Sequence, residues 1–487
     1  MKNNHYTDIS NIKTSYQYDY TKCMVMKLFM AQPDKDRKSS QVMMNFEQTL
    51  DAVKKIDCIT QGITKIYYLV GWQYLGHDDK YPDFFEVNTA LKRPCDKTAL
   101  DSLRWLYNEA KKYNSVISVH INFNDAYDNA PSFNDFVKAN ALIRKRNGKI
   151  HAIENYNKRP CYKTDLKVYW ESGLFKRQFD RLLETLDFLQ DAKTIHVDNF
   201  QCYHNYSPDV SITQMQEARK KMVEYVREKG IDITSEFTYK EDESLPNKKL
   251  FGMSREHNFN TPMNTLGLIP ASWWCTRMTR QEYVEIPPQL YCGFYKDKFY
   301  ANYLYGNMHG EDIIKMSDPN WTDKFMHEFA CIQVPFHFLC TFKRLSIKGF
   351  GLTERCIFTN NVISYNKDRK IVWDGEVFKE NNTLFLPLAT KEHTWLAYSD
   401  RDCERTWKVK ESGVSKADIY RITPRGNEFL RTENVGNKRS HSKSEKMKPF
   451  WFALNKYTFS NFVMKVKRTY GNYLTIGSFL SAFFEHA

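Results

Sequence analysis

The sequence predicts an α/β protein, a (β/α)8 TIM-type barrel followed by a C-terminal β-sandwich module. Apolar, strand-like runs alternate with helix-length amphipathic stretches through the first two-thirds of the 487 residues, the pattern of a parallel sheet with crossover helices. Two of those runs, Ile195-His196-Val197-Asp198 and Ile233-Thr234-Ser235-Glu236, end in carboxylates and flank one helix-length stretch, Ser211–Lys229. Adjacent barrel strands are laid out in this way, with their C-terminal ends converging on one mouth. After Arg344 the texture changes to short β-rich runs separated by turn residues.

Taken in order, Met24–Met30 reads as a strand. Phe46–Lys55 has helical spacing, and Ile63–Val70 is a β-branched and aromatic run. Lys97–Tyr113 reads as a helix with Leu100, Leu103, Leu106, Tyr107 and Ala110 on one face. Val116–Phe123 is the next strand and Ser172–Leu189 the next helix. The strand Thr194–Val197, the helix Ser211–Lys229 closed by Gly230, and the strand Ile231–Glu236 follow. Asp323–Cys340 reads as one long apolar helix. Residues 1–344 are therefore assigned to the barrel. In residues 345–430, Cys356–Phe358, Val362–Tyr365, Ile371–Trp373, Thr383–Leu386 and Thr394–Tyr398 are strand runs, with Asp374-Gly375 and Asn381-Asn382 as hairpin signals. Residues 431–487 read as a polar linker and an aromatic-rich tail with no assignment.

The formal charge of +13 comes from 71 basic and 58 acidic residues spread along the chain. The densest basic stretch, Lys438–Lys446, is broken by Ser, His and Glu and reads as a linker, so no nucleic-acid partner is expected. Eleven cysteines are scattered without a C-x-x-C, a usage that fits free thiols in a reducing compartment. No hydrophobic core region of a signal peptide lies in Met1–Asp19, and no apolar run is long enough to span a membrane. A cytoplasmic protein with no membrane partner is expected, and the sequence sets no oligomeric state. Aromatic residues make up 15% of the chain, enough both to fill a core and to line a sugar cleft.

Strand parity locates candidate chemistry. In Val119-His120-Ile121-Asn122 the polar residues share one face; in Ile195-His196-Val197-Asp198 and Ile233-Thr234-Ser235-Glu236 the alternation repeats. Any one such residue is more often a satisfied core group. On three consecutive strands the burial cost recurs, which favours an active-site mouth. Two further loops are candidates. Gly71-Trp72-Gln73-Tyr74-Leu75-Gly76-His77-Asp78 extends to Asp83 and offers an indole, an imidazole and carboxylates for sugar hydroxyls. Tyr305–Glu311 contains His309 and Glu311. There is no H-E-x-x-H, cysteine cluster or glycine-rich phosphate loop, so neither metal nor organic cofactor is expected.

These motifs together resemble glycoside hydrolase family 101, the endo-α-N-acetylgalactosaminidases, and are similar to about the same degree to the family 129 α-N-acetylgalactosaminidases. The resemblance rests on Gly71-Trp72-Gln73, Gly76-His77-Asp78, Pro82-Asp83, His120-Ile121-Asn122, Val197-Asp198, Ser235-Glu236, His309-Gly310-Glu311, Ala397-Tyr398-Ser399 and Arg405-Thr406-Trp407, which occur in the family's order. It implies a retaining hydrolase that cleaves GalNAc α-linked to Ser or Thr in mucin-type O-glycans. Asp198 then matches the nucleophile and Glu236 the acid/base. Trp72, His77, Asp78, His120, Asn122, His196, His309 and Glu311 line the sugar cleft, and Trp170 stands for an aromatic lid. The acids are 38 residues apart, about one βα unit, and neighbouring strands are about 4.8 Å apart, within reach of the ~5–5.5 Å separation of a retaining pair. Endo and exo action both stay open. The other readings are a catalytically silent glycan-binding barrel, which would keep the cleft without turnover, and a basic nucleic-acid-binding protein, which would need one contiguous Lys/Arg face.

Overall fold

The computed structural model describes residues 17–18, 22–156, 159–198, 200, 202–237, 257–262, 310–342, 344–348, 353, 355–365, 367–401, 404–407, 409–410, 414–434, 450–453 and 460–468. Six strands form the main sheet: β1 (Met24–Phe29), β2 (Lys65–Val70), β3 (Ser115–Asn122), β4 (Thr194–Asp198), β5 (Asp232–Phe237) and β6 (His257–Pro262). They lie side by side in sequence order. The first five run parallel, each against its predecessor. This is the winding that alternating strands and helices impose when every crossover keeps one hand. The sixth, β6, pairs antiparallel to β5, unlike the all-parallel order expected of a β/α barrel. Closure into eight strands falls outside the described residues.

The crossover helices begin where their sequences supply caps. Helix α1 (Phe46–Thr60) starts from an Asn45/Gln48 capping box, α2 (Ala99–Lys111) from Thr98/Asp101, and α4 (Ile212–Glu228) from Ser211/Gln214. In each, a side-chain oxygen and a backbone N–H are exchanged between N-cap and N3, satisfying two of the orphan donors at a helix start. Helix α3 (Leu174–Thr185) has no side-chain cap and is held by Leu174, Phe175, Phe179, Leu182 and Leu183, all buried. The expected single helix over 323–340 is instead Trp321–Glu328, a π turn over Phe329–Gln333, and Val334–Cys340. Pro335, with no N–H to give, sits at the start of the last piece.

Alternation along the strands separates two interiors. Met24, Met26, Leu28, Tyr67, Leu69, Ile117, Val119, Ile121, Ile195, Val197 and Ile233 join the main core beneath the helices. On the opposite face Cys23, Val25, Ile66 and Tyr68 form a small apolar cluster of their own. Further along that face the side chains turn polar and stay buried: Ser118, His120, Asn122, Thr194, His196 and Thr234.

The C-terminal region is a ten-stranded sheet from Arg344 to Arg468 with a two-stranded ribbon, Glu404–Trp407 against Phe450–Ala453. Asp374-Gly375 makes the expected hairpin, both residues at positive φ, between Lys370–Trp373 and Glu376–Glu380. Strand Ser460–Arg468, in the segment the sequence left unassigned, lies between Thr394–Ser399 and Val414–Thr423. The β-rich region thus extends beyond residue 430. It meets the first half where Lys391 Nζ donates to Gln61 O at 2.9 Å and Asn427 Nδ2 donates to Gln61 Oε1 at 2.7 Å.

Candidate active site

Asp198 is the last residue of β4 and registers with Asn122 on β3, while His196 registers with both His120 and Thr234. Period-2 alternation then gathers these groups on one face. The imidazoles of His120 and His196 stack with centroids 5.3 Å apart. His196 Nδ1 and Thr234 Oγ1 share a hydrogen bond of 2.8 Å. One layer down, the Tyr68 hydroxyl and Thr194 Oγ1 are 2.6 Å apart. His120 Nε2 stands 3.9 Å from Asp198 Oδ2. Glu236 lies one position beyond the registered pair Ser235–Val197, just as Asp198 lies one beyond Val197.

Asn122 is oriented by its own backbone neighbourhood. Its Oδ1 accepts from the N–H groups of Asn124 at 2.7 Å and Asp125 at 2.8 Å. The amide nitrogen must therefore face the other way, where it donates to Asp125 Oδ2 at 2.8 Å and to Asp198 Oδ2 at 3.3 Å.

The loop after β2 is fastened to the chain after β1. Gly71 has φ +75, and a Cβ there would lie 1.9 Å from Ala31 O; Gly76 has φ +125 and would meet Ala31 at 2.5 Å. His77 N donates to that same carbonyl at 2.9 Å. So fixed, the loop splits its polar residues. His77 and Asp78 go to the site: the His77 ring lies 5.7 Å from that of His120 and its Nδ1 3.2 Å from Asp78 Oδ2. Burial works against a charge on His77, but Asp78 beside it, with Asp198 and Glu311 farther off, pushes its pKa up to about 9. Burial opposes the Asp78 charge as well, yet His77, His120 and Lys163 hold that carboxyl below its ordinary range. Asp79 and Asp83 brace the loop instead. Asp79 pairs with Arg37 at 3.0 Å, and Asp83 accepts from Ser132 N at 2.8 Å.

Two expectations are corrected. Trp72 is fully buried, donates from Nε1 to His120 O at 3.0 Å and stacks on Phe84. It supports β3 from the core and offers no face to a sugar ring. Trp170 sits in the helix layer against Phe175 and Tyr225, with Lys176 Nζ 4.7 Å from its ring, and is not brought to the mouth. Glu311 is near the site, paired with Lys27 at 2.9 Å. His309 lies outside the described residues, and the side chain of Glu236 is not among those described.

Several groups escaped sequence reading. Lys27 points inward from β1 beside Glu311. Tyr81 and Tyr127 are fully buried, their rings 5.9 Å apart. Asp125 and Lys163 are cross-strand partners in a small sheet between β3 and α3. Among the described residues, His77, His120 and Asp198 have ligand atoms within 4.8 Å of one another, near enough for a divalent cation. They come from different elements, so no sequence spacing announces them, and a cation there would first have to displace the proton that Asp78 stabilises on His77.

Carboxylates, imidazoles and an oriented amide at C-terminal strand ends are the equipment of a glycosidase mouth. Residues 30–260 match the model of glycoside hydrolase family 101, described as endo-alpha-N-acetylgalactosaminidase, the family that the sequence motifs resemble. Among solved structures, the ligand-free alpha-N-acetylgalactosaminidase NagBb from Bifidobacterium bifidum is similar at 14% identity and TM-score 0.48, covering 72% of this chain and 57% of its own. Its GalNAc complex gives 12% and 0.48, covering 73% and 58%. The alpha-galactosidase TtGalA from Thermus thermophilus gives 11% and 0.28, covering 44% and 37%. The chain thus spans less than two thirds of the length of these relatives.

Proposed function

We propose that this protein is a retaining glycoside hydrolase that releases α-linked N-acetylgalactosamine, alone or as Galβ1-3GalNAc, from Ser or Thr of mucin-type O-glycans. The family match and the bound GalNAc of the NagBb complex support the sugar. The observation that carries the chemistry is the placement of Asp198, hydrogen-bonded to the Asn122 side-chain amide and, like Glu236, one position beyond the registered pair Val197–Ser235. In the first step an Asp198 oxygen attacks the anomeric carbon as its bond to the glycosidic oxygen breaks. Glu236 gives its proton to that oxygen. In the second, water attacks the same carbon, Glu236 takes a water proton, and Asp198 leaves as carboxylate. His77 as imidazolium, with Asp78 and His120, offers donors and an acceptor to sugar hydroxyls.

The sequential parallel sheet and its separate inner face support a β/α barrel as the full architecture. A cytoplasmic site of action is supported by Cys161 and Cys331, which are buried free thiols. No helix among the described residues is long and apolar enough to cross a membrane.

The test is hydrolysis of aryl α-GalNAc and of aryl α-(Galβ1-3GalNAc) by wild type and Asp198→Ala. Wild type is expected to turn over one or both, and Asp198→Ala to lose at least about 10³-fold in kcat. A variant with near-full activity removes Asp198 as nucleophile. Binding of GalNAc with no turnover of either substrate favours the silent glycan-binding protein.

A further inference from the structure

Behind the proposed nucleophile runs a buried chain of groups that the reaction itself does not use. Lys163, on the strand Arg159–Lys163, has no exposed side-chain surface, and its ammonium donates to Asp125 Oδ1. The other oxygen of Asp125, whose side chain is 5% exposed, accepts from Asn122 Nδ2 at 2.8 Å. The second hydrogen of that amide points at Asp198 Oδ2, 3.3 Å away. Asp125 and Lys163 face each other in register across two strands, and Thr164, next to Lys163, donates from Oγ1 to Phe123 O at 2.7 Å and from its backbone N to Asn124 O at 2.8 Å. The excursion between β3 and α3 is thereby clamped to the turn that carries Asn122 and Asp125.

A buried ion pair is a poor way to gain stability, because desolvation of both charges offsets their attraction and a well-packed apolar pair does as well or better. This pair, though, does something that an apolar pair does not. Asp125 fixes one N–H of Asn122, the two backbone donors fix its oxygen, and the remaining N–H has one direction left. Lys163 cancels the charge of Asp125, so the anion that orients the amide does not stand as a second uncompensated carboxylate behind Asp198. Burial works against the Lys163 ammonium, and Asp125 nevertheless holds its pKa well above the ordinary range.

We propose that Asp125 and Lys163 are positioning residues that act through Asn122 to hold the Asp198 carboxylate in its attacking orientation. This rests on the glycosidase reading above. The effect belongs to the glycosylation step and to the nucleophile, not to protonation of the leaving group.

The experiment compares p-nitrophenyl and 2,4-dinitrophenyl α-GalNAc, reading kcat and KM separately, in the full chain. The variants are Asp125→Ala/Lys163→Met, which removes acceptor and charge together, and Asp125→Asn/Lys163→Met, which restores a neutral acceptor for Asn122. The first is expected to lose about 10–100-fold in kcat, the scale of a ~1 Å misplacement, with KM nearly unchanged and the loss equal on both substrates. The second is expected to recover most of that loss. Wild-type kcat in the first variant, a loss confined to KM, or a loss that vanishes with the dinitrophenyl leaving group overturns the proposal. Should the first variant fail to fold, Asn122→Asp serves instead: it still accepts from both backbone N–H groups but donates nothing to Asp198, and retained kcat there is equally fatal. Should wild type hydrolyse neither substrate, the glycosidase reading falls by itself. Positioning is then judged in crystal structures of wild type and Asp125→Ala/Lys163→Met. An Asp198 rotamer that differs between them upholds it, and one that does not overturns it.

Discussion

His77 shows how a single side chain takes its character from its setting. Its ring is partly shielded, which disfavours charge, but three carboxylates surround it and its pKa rises to about 9 from the ordinary 6.5. A group whose folded-state pKa is raised adds stability that is fully present below the unfolded value and lost as pH climbs through the folded one. Wild type should therefore lose its melting-temperature advantage over His77→Gln between about pH 6.5 and 9. Thermal melts across that range check this, and a gap that stayed constant would mean that His77 is not charged in the folded state. At this scale the sequence was legible where period-2 parity applied. His120, Asn122, His196 and Asp198 fell on one face because polar and apolar residues alternate without a break. It misled at Trp72, since an indole after a glycine reads the same whether it faces sugar or core, and only the carbonyl of His120 decides. Asp125 and Lys163 were illegible because their pairing is set by the register of an excursion and carries no local pattern.

The loop Gly71–Asp83 is the element on which the site depends most directly. Its attachment to Ala31 leaves no room for a side chain at Gly71, and the positive φ there costs any other residue about 1–2 kcal/mol in addition. Gly71→Ala should lower stability by more than that and, by displacing His77 and Asp78, lower kcat/KM for an α-GalNAc substrate. The comparison is Gly375→Ala, at a hairpin with similar φ of +79 and nothing within 4 Å. It should cost the backbone strain alone and leave turnover unchanged. Equal losses in melting temperature and turnover for the two variants would contradict the close approach. Among the elements, crossover helices were read well because apolar spacing and caps agree. Charged strands such as Glu376–Glu380 were not, because Glu376, Lys379 and Glu380 hide the strand pattern even though Lys379 is buried. The break in the 323–340 helix follows from Pro335, which the periodicity alone overrides.

For the whole molecule, the two halves differ in whether neighbouring strands follow one another in sequence. The parallel sheet joins each strand to the next in order. The ten-stranded sheet does not, since Ser460–Arg468 stands between Thr394–Ser399 and Val414–Thr423. A chain ending at residue 435 should leave both of those strands without their shared partner. Its second half should be susceptible to proteolysis and prone to aggregate, which limited digestion and light scattering against full-length protein can measure; a truncated chain as resistant as the full one would show that the insertion is dispensable. The alternation of the first half was legible because it is local. The insertion of a distant strand into the middle of a sheet leaves no trace in composition, which is why residues 431–487 read as a tail.

That inserted strand also sets a schedule. During synthesis each of β2 to β5 finds its predecessor already made and pairs with it. Thr394–Ser399 must instead wait for more than sixty further residues before Ser460–Arg468 arrives, several seconds at roughly 5–20 residues per second. Throughout that interval the nascent protein carries two unfilled strand edges beside a half that is already able to fold. Its demand for chaperones should therefore extend into the last stretch of translation.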